Sequence, residues 1–337
     1  MLVDRIVALA GGIGGARFLR GLRAAAPDAE ITVVGNTADD ITLHGLHVSP
    51  DLDTVMYTLG GGIHEKQGWG RAEETFSIAE ELAAHGVRPD WFTLGDRDLA
   101  THIIRTHLLD AGYPLSAVTA ALCTRWQPGV TLLPMTDDRV ETHVIVDDPE
   151  PSTDIDHQQQ QQEHGNRTRA IHFQEWWVRW HATLEPHRIV LVGIEASQPA
   201  PGVLEAIEAA DIVLLPPSNP VVSIGPVLGV PGVRAALRAT RAPVVGVSPI
   251  VGGAPVRGMA DACLRAIGVE TSAAAVAGLY ADLLSGWLVD VSDDDAVGQV
   301  QHEHDVPTRA VPLLMRTLEA TTEMARAALT MAAEVAG

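Results

Sequence analysis

Apolar residues in this chain fall in short unbroken runs rather than in alternation with polar ones. Arg5–Ala10, Ile31–Gly35, Arg188–Gly193, Asp211–Leu215 and Pro243–Val247 are such runs. Each ends in a turn-forming cluster: GGIGG, NTADD, IEAS, PPSNP and SPIVGG in that order. Helical spacing separates most of them. Arg17–Ala26 places Phe18, Leu19, Leu22 and Ala26 on one face, and Val203–Ala210 and Val233–Thr240 read as further helices. Apolar strands alternating with helices predict an α/β fold: a Rossmann-like, mostly parallel sheet with helices on both faces. Ligands of such sheets sit beyond the carboxyl ends of the strands, where all of these turns fall.

The middle of the chain breaks the rhythm. Asp98–Asp110 and Ser116–Trp126 read as helices, and Gly129–Pro134 and Thr142–Val146 as strands. A polar, glutamine-rich stretch over residues 147–170 reads as a surface loop. We therefore expect three segments: 1–96 as the first half of the core, 97–187 as an inserted, partly helical subdomain, and 188–337 as the second half with a closing helix over Pro312–Val335. Residues 172–184 (HFQEWWVRWHATL) read as a helix whose tryptophans, Trp176, Trp177 and Trp180, serve packing or a dimer face.

Composition narrows the function. The 337 residues are 46% apolar, enough for a large core, yet no run reaches the ~18 apolar residues of a membrane span. The start, MLVDRIVALAGG, lacks the basic and small-residue features of a signal peptide and reads as the first strand of a cytosolic protein. Two distant cysteines build neither a disulfide framework nor a zinc site. A formal charge of −20 argues against nucleic acid as a partner and also repels small anions. A phosphate site here must work locally, through amides, a few arginines or a divalent ion.

GGIGGARFLRGL is the first candidate. Gly12 and Gly14 supply two glycines of the dinucleotide fingerprint, but Arg17 holds the third position and Asn36 stands where the acidic residue of the second strand belongs. NAD is disfavoured, and without a lysine the loop is not a P-loop. What remains is an anion-facing glycine turn at a helix N-terminus, helped by Arg17, or a tight turn with no ligand. Asp39, Asp40, Asp51 and Asp53 gather near the same sheet edge. They suit either a Mg²⁺ bridging protein and phosphate oxygens or helix capping and turns. Ser218, Asn219 and Ser223 in PPSNPVVSIGP offer polar groups beside free amides, and SPIVGG with APVRG adds a glycine turn and Arg257. HEKQG lacks the second histidine of a zinc motif, and no nucleophile elbow is present.

Taken in order, AGGIGGARFLRGL, NTADD, SPDLDTVMYTLGGG, GWG, LGDRDLATH, LPMTDD, HFQEWWVRW, PPSNPVVSIGP and SPIVGG resemble the CofD family, the 2-phospho-L-lactate transferases of coenzyme F420 biosynthesis. The resemblance runs from about residue 5 to residue 290 and is nearest to the actinobacterial branch, whose transferred group is phosphoenolpyruvyl. It implies a GDP-linked donor carrying phosphoenolpyruvate or 2-phospholactate, the deazaflavin Fo as acceptor, attack by the terminal ribityl hydroxyl on the β-phosphorus, GMP as leaving group, and dehydro-F420-0 or F420-0 as product; no residue here reads which acid is carried. Carried over by motif, Asp53 is the residue that orients the hydroxyl or helps take its proton, and from the carboxylate cluster Asp40 and Asp51 are the candidates to hold Mg²⁺. Gly11, Gly12, Ile13, Gly14, Gly15, Arg17, Ser218, Asn219 and Ser223 fall on the donor side, and Trp91, Thr93 and Leu94 beside Fo. A homodimer is expected from the family. Thr93 stands where archaeal members carry a basic residue, and Gly258-Met259-Ala260 where they carry glycine-proline-alanine. The competing reading is a nucleotide-sugar-binding metabolic regulator with the same core; SPDLDT and LGDRD favour the transferase.

Overall fold

The run Arg5–Ala10 forms strand β1 in a computed structural model that describes residues 4–149 and 167–337. Its apolar residues are buried on both faces: Val7 and Leu9 enter one core, Ile6, Ala8 and Ala10 the other. That double burial explains the lack of alternation in the sequence. The strands that follow in chain order are β2 (Glu30–Gly35), the hairpin β3 (Ile41–Leu43) and β4 (Leu46–Val48), β5 (Thr131–Pro134), β6 (Glu141–Asp147), β7 (Thr168–His172), β8 (Arg188–Val192), β9 (Ile212–Leu215), β10 (Val244–Val247), the pair β11 (Ile250–Val251) and β12 (Ala254–Pro255), β13 (Gly286–Asp290) and β14 (Thr308–Val311). Seven of them make one sheet in the order β14-β13-β10-β9-β1-β2-β5, parallel throughout. The α/β expectation is met.

This order places the site. From β1 the chain builds outward through β2 and β5, then returns to the other side of β1 with β9 and builds through β10, β13 and β14. The direction reverses between β1 and β9, and the crevice beyond their carboxyl ends is the natural ligand position. The two turns that open there are the glycine loop after β1 and Pro216–Ser223 after β9. Helices α1 (Gly12–Ala25) and α2 (Pro50–Leu59) cover one face with the C-terminal helix Leu318–Val335. Helices α3 (Ser77–Ala84), α4 (Asp96–Asp110) and α5 (Leu115–Trp126) follow before β5.

Several expectations change. Arg188–Gly193 is a strand, but β8 pairs antiparallel with β6 in a separate three-stranded sheet ordered β7-β6-β8, so IEAS is not a turn of the main sheet. Gly129–Pro134 was expected inside the insertion; its strand β5 instead edges the main sheet beside β2. Residues 172–184 do not form one helix. β7 runs to His172, and a five-residue π-helical turn covers Glu175–Arg179. The helix-like spacing arises because Phe173, Trp176, Trp180 and Leu184 converge on one small core, where Trp176 is buried and donates Nε1–H to Leu184 O at 2.8 Å. The closing helix starts at Leu318, not Pro312. Thr317 Oγ1 caps it by accepting from Ala320 N, and Leu313 N is held by Asp290 Oδ2 at 2.7 Å. Of the glutamine-rich stretch 147–170, residues 150–166 lie outside the described residues, and Thr168–Ala170 are already in β7. No single helix among the described residues is long and apolar enough to cross a membrane.

Close approach of α1 to the C-terminal helix rests on Gly21. A Cβ there would lie 2.5 Å from the Thr321 carbonyl carbon and 2.7 Å from Thr321 Cγ2. Gly21→Ala is therefore expected to destabilise by about 1–3 kcal/mol through overpacking, against the ~1 kcal/mol that alanine contributes in a helix. Urea unfolding reads the difference; a variant as stable as the parent would show that the two helices can part freely.

Candidate functional site

Gly11 and Gly14 are glycines because of what surrounds them. A Cβ on Gly11 would meet Asp51 Oδ2 at 2.6 Å and Ser223 Cβ at 2.7 Å, and one on Gly14 would run into the carbonyl oxygen of Pro217. Ser218 joins the two turns at the switch point: its Oγ donates to Gly11 O at 2.8 Å. Asn219 Oδ1 accepts from Val221 N and Val222 N and so fixes the turn Pro220–Ile224. Gly15 is a packing residue, since a side chain there would strike Ser218 Oγ. Gly11, Gly12, Ile13 and Gly14 line a cavity of about 1010 Å³, together with Ser218, Asn219 and Ser223 from the other turn.

The carboxylates at this end differ from expectation. Asp39 and Asp51 line the cavity, whereas Asp40 does not. Asp40 Oδ2 already accepts from Ser49 Oγ at 2.7 Å and pairs with His47 Nε2 at 2.8 Å, while its Oδ1, like that of Asp39, is buried without a hydrogen-bond partner. The cavity pair is thus Asp39 and Asp51, not Asp40 and Asp51. Burial holds the Asp39 carboxyl well above the usual range, with Asp51 raising it further. Burial pushes Asp51 up to about 6, opposed by the Asn36 side chain and the Gly12 amide. Asn36, which spoils the dinucleotide fingerprint, has a role of its own: its Nδ2 donates to Asp51 Oδ2 at 2.9 Å and to Val222 O at 3.1 Å. Asp39 Oδ1 is buried with no hydrogen-bond partner. Two crowded carboxylates, one with an unanswered oxygen, suit a divalent cation shared with ligand phosphates. Among the described residues no group of three or more His, Cys, Asp or Glu side chains gathers to hold a metal, so ligand oxygens would have to complete the shell.

Cations also collect here, in a chain of net charge −20. Arg17, Arg20, Arg257 and Arg316 line the cavity. Arg20 is neutralised by both oxygens of Glu65 at 3.0 Å. Arg17 faces the cavity rather than packing on the surface. Trp69, Trp91, Phe92, Phe173 and Trp177 supply aromatic walls. Of the tryptophan segment, Trp176 is a core residue, as the packing reading expects, and Trp177 stands in that wall, 37% exposed.

A second cavity of about 540 Å³ adjoins the first and shares Pro50, Thr54, Trp69, Phe92 and Thr93 with it. Asp53 lines this one and not the first. Arg105 on α4 grips both of its oxygens; the Nη1–Oδ2 contact is 3.1 Å, and Nη2 bonds Oδ1. His102 Nδ1 lies 3.7 Å from Asp53 and its Nε2 3.4 Å from Asp98, which accepts from Tyr57 Oη at 2.7 Å. Burial raises the Asp53 carboxyl, with Arg105 pulling it back. Leu94, expected beside the acceptor, instead packs with Leu43, Val48 and Leu99 in a small core and lines neither of these two cavities. Arg105 and Arg316 carried no recognisable signal; Trp69 and His102 fell inside the GWG and LGDRDLATH motifs but were not singled out within them.

A doubly wound parallel sheet, with a glycine turn, paired acids and arginines at its switch point, defines an α/β enzyme that handles phosphorylated ligands. The chain belongs to the CofD family: residues 6–323 match the family described as 2-phospho-L-lactate transferase CofD. It is similar to the phosphoenolpyruvate transferase of Streptomyces coelicolor, 64% identical over 332 residues, covering 98% of this chain and 99% of that protein. It is similar also to the proteins of the same name from Thermobifida fusca (61% identical, 98% of each chain) and Mycobacterium marinum (53% identical, 97% and 98%). Two crystal structures of a Bacillus halodurans protein, one described as a member of the UPF0052 family, share the fold with a TM-score of 0.60. They are 15% and 16% identical and cover 97% of this chain and 99% of theirs.

Proposed function

We propose that this transferase moves a phosphoenolpyruvyl group from its GDP-activated form to the deazaflavin Fo in coenzyme F420 biosynthesis. The terminal ribityl oxygen forms the new bond to the β-phosphorus, its proton is released, the bridge to the α-phosphate breaks, and GMP departs. Phosphoryl transfer asks for positioning and charge neutralisation more than for covalent chemistry. The observation that carries the reading is the cavity at the switch point, which Gly11–Gly14, Asp39, Asp51, Arg17 and Arg257 line together. Asp39 and Asp51 are the residues that would hold Mg²⁺, which when bound neutralises charge on the diphosphate. Ser218, Asn219 and Ser223 border the donor side. Thr93, Phe92 and Trp69 line both cavities and Trp91 the first, and the second cavity suits the flat acceptor. To Asp53 this reading assigns only the orienting part of its expected role. With both oxygens committed to Arg105, it is a poor base for the hydroxyl proton.

Competition binding separates this reading from the nucleotide-sugar regulator. Fo fluorescence should change on titration with the protein, and UDP-sugars should not displace it. Tight UDP-sugar binding without an Fo response would favour the regulator.

A further inference from the structure

Two guanidinium groups that line the large cavity, Arg17 and Arg257, come together against the loop that carries Gly68. Gly68 sits there in the left-handed region, at φ +77°, with Ile13 Cγ2 only 2.9 Å from where a Cβ would be. That same point lies 3.5 Å from Arg17 Nη2 and 3.4 Å from Arg257 Nη1. Among the described residues neither guanidinium makes a hydrogen bond or ion pair, while the neighbouring Arg20 is fully matched by Glu65. Like charges converge without a counter-ion where a ligand is to supply one. Arg17 lies one helical turn beyond Gly14, and Arg257 comes from the turn after β12. The two elements are brought together only by the fold.

We infer that Arg17 and Arg257 form a carboxylate-reading subsite, separate from the diphosphate cradle, that selects donors whose transferred group bears an acid. The inference rests on the function proposed above. In that donor the diphosphate would be answered by the remaining amides of the glycine turn and by the Mg²⁺ that Asp39 and Asp51 would hold. The remaining anion is the carboxylate of the phosphoenolpyruvyl group. A planar, always-charged guanidinium matches a carboxylate through two parallel hydrogen bonds, and a pair of them confers geometry as well as charge. Ile13 and Gly68 wall the pair on one side.

The test compares the parent with Arg17→Gln, Arg257→Gln and the double variant. Turnover of the parent with Fo, Mg²⁺ and the GDP-linked donor is measured first; its absence removes the proposed function and leaves the subsite to the binding measurements. In turnover, each single change should lower kcat/KM for the acid-bearing donor by roughly 10–100-fold, the usual effect of losing a charge-assisted hydrogen bond. The Ki of Mg²⁺-GDP, which lacks the acid, should stay within about twofold. Binding needs no turnover: with GMP and Mg²⁺ present, the parent should prefer phosphoenolpyruvate over inorganic phosphate, and the double variant should lose that preference. Parallel loss of GDP affinity would make the arginines part of the diphosphate cradle and overturn the inference. So would a parent that binds phosphoenolpyruvate and phosphate equally, or variants with unchanged kinetics.

Discussion

Asp51→Asn is expected to lower turnover by ~100-fold or more and yet to make the metal-free protein more stable at pH 7. Loss of activity follows from removing one of two carboxylates proposed to hold the metal; even residues that merely support a metal ligand cost 10–100-fold when changed. The gain in stability follows from burial. Folding raises the Asp51 carboxyl from 3.8 to about 6, so its contribution to stability is greatest below the ordinary value and is lost as pH rises through 4 to 6. At pH 7 the metal-free chain carries an ionised, buried acid beside Asp39, which burial and Asp51 also raise. A shift of about two units corresponds to about 3 kcal/mol. Asparagine removes that cost and keeps an oxygen for Asn36 Nδ2. Denaturant melts with a chelator should show the variant ahead of the parent at pH 7 and level with it near pH 4. A variant less stable at pH 7, or one that keeps parental turnover, would mean Asp51 is a structural acid.

The largest loss of stability is expected at Arg105. Its side chain is 1% exposed and its charge is matched by Asp53, which is 6% exposed. Arg105→Met leaves the Asp53 carboxylate buried and unpaired, which costs about 3–5 kcal/mol. Asp53→Asn strands Arg105 in the same way, so activity lost in that variant mixes damage to the fold with damage to the site. The double change Arg105→Met with Asp53→Leu should recover most of the stability and none of the activity. Urea unfolding of the three variants gives the coupling directly. A cost below about 1 kcal/mol for Arg105→Met would show that water reaches the pair.

The strands of the core were legible because a strand buried on both faces reads as an unbroken apolar run, as in Arg5–Ala10, Asp211–Leu215 and Pro243–Val247. β8 reads the same way, yet its partner is β6; a local pattern states that a strand exists, not which sheet it joins. β13 and β14 escaped because GWLVD and TRAV are short and have no glycine cluster at their ends. Residues from separate motifs meet in space: Gly11–Gly14, Arg17, Asp51, Ser218, Asn219 and Ser223 line one cavity. Asp40 and Leu94 did not, since adjacency in sequence cannot tell Asp39 from Asp40 on opposite sides of a bend. The convergence of Arg17 with Arg257, and of Arg105 with Asp53, joins residues far apart in sequence. Neither has a local signature.

Mass spectrometry of the deazaflavin product tests the central claim most directly. Fo, Mg²⁺ and the GDP-linked phosphoenolpyruvyl donor should give GMP and dehydro-F420-0, lighter by two hydrogens than the product of the phospholactyl donor. Fo recovered unchanged with both donors, with no GMP formed, would contradict the account.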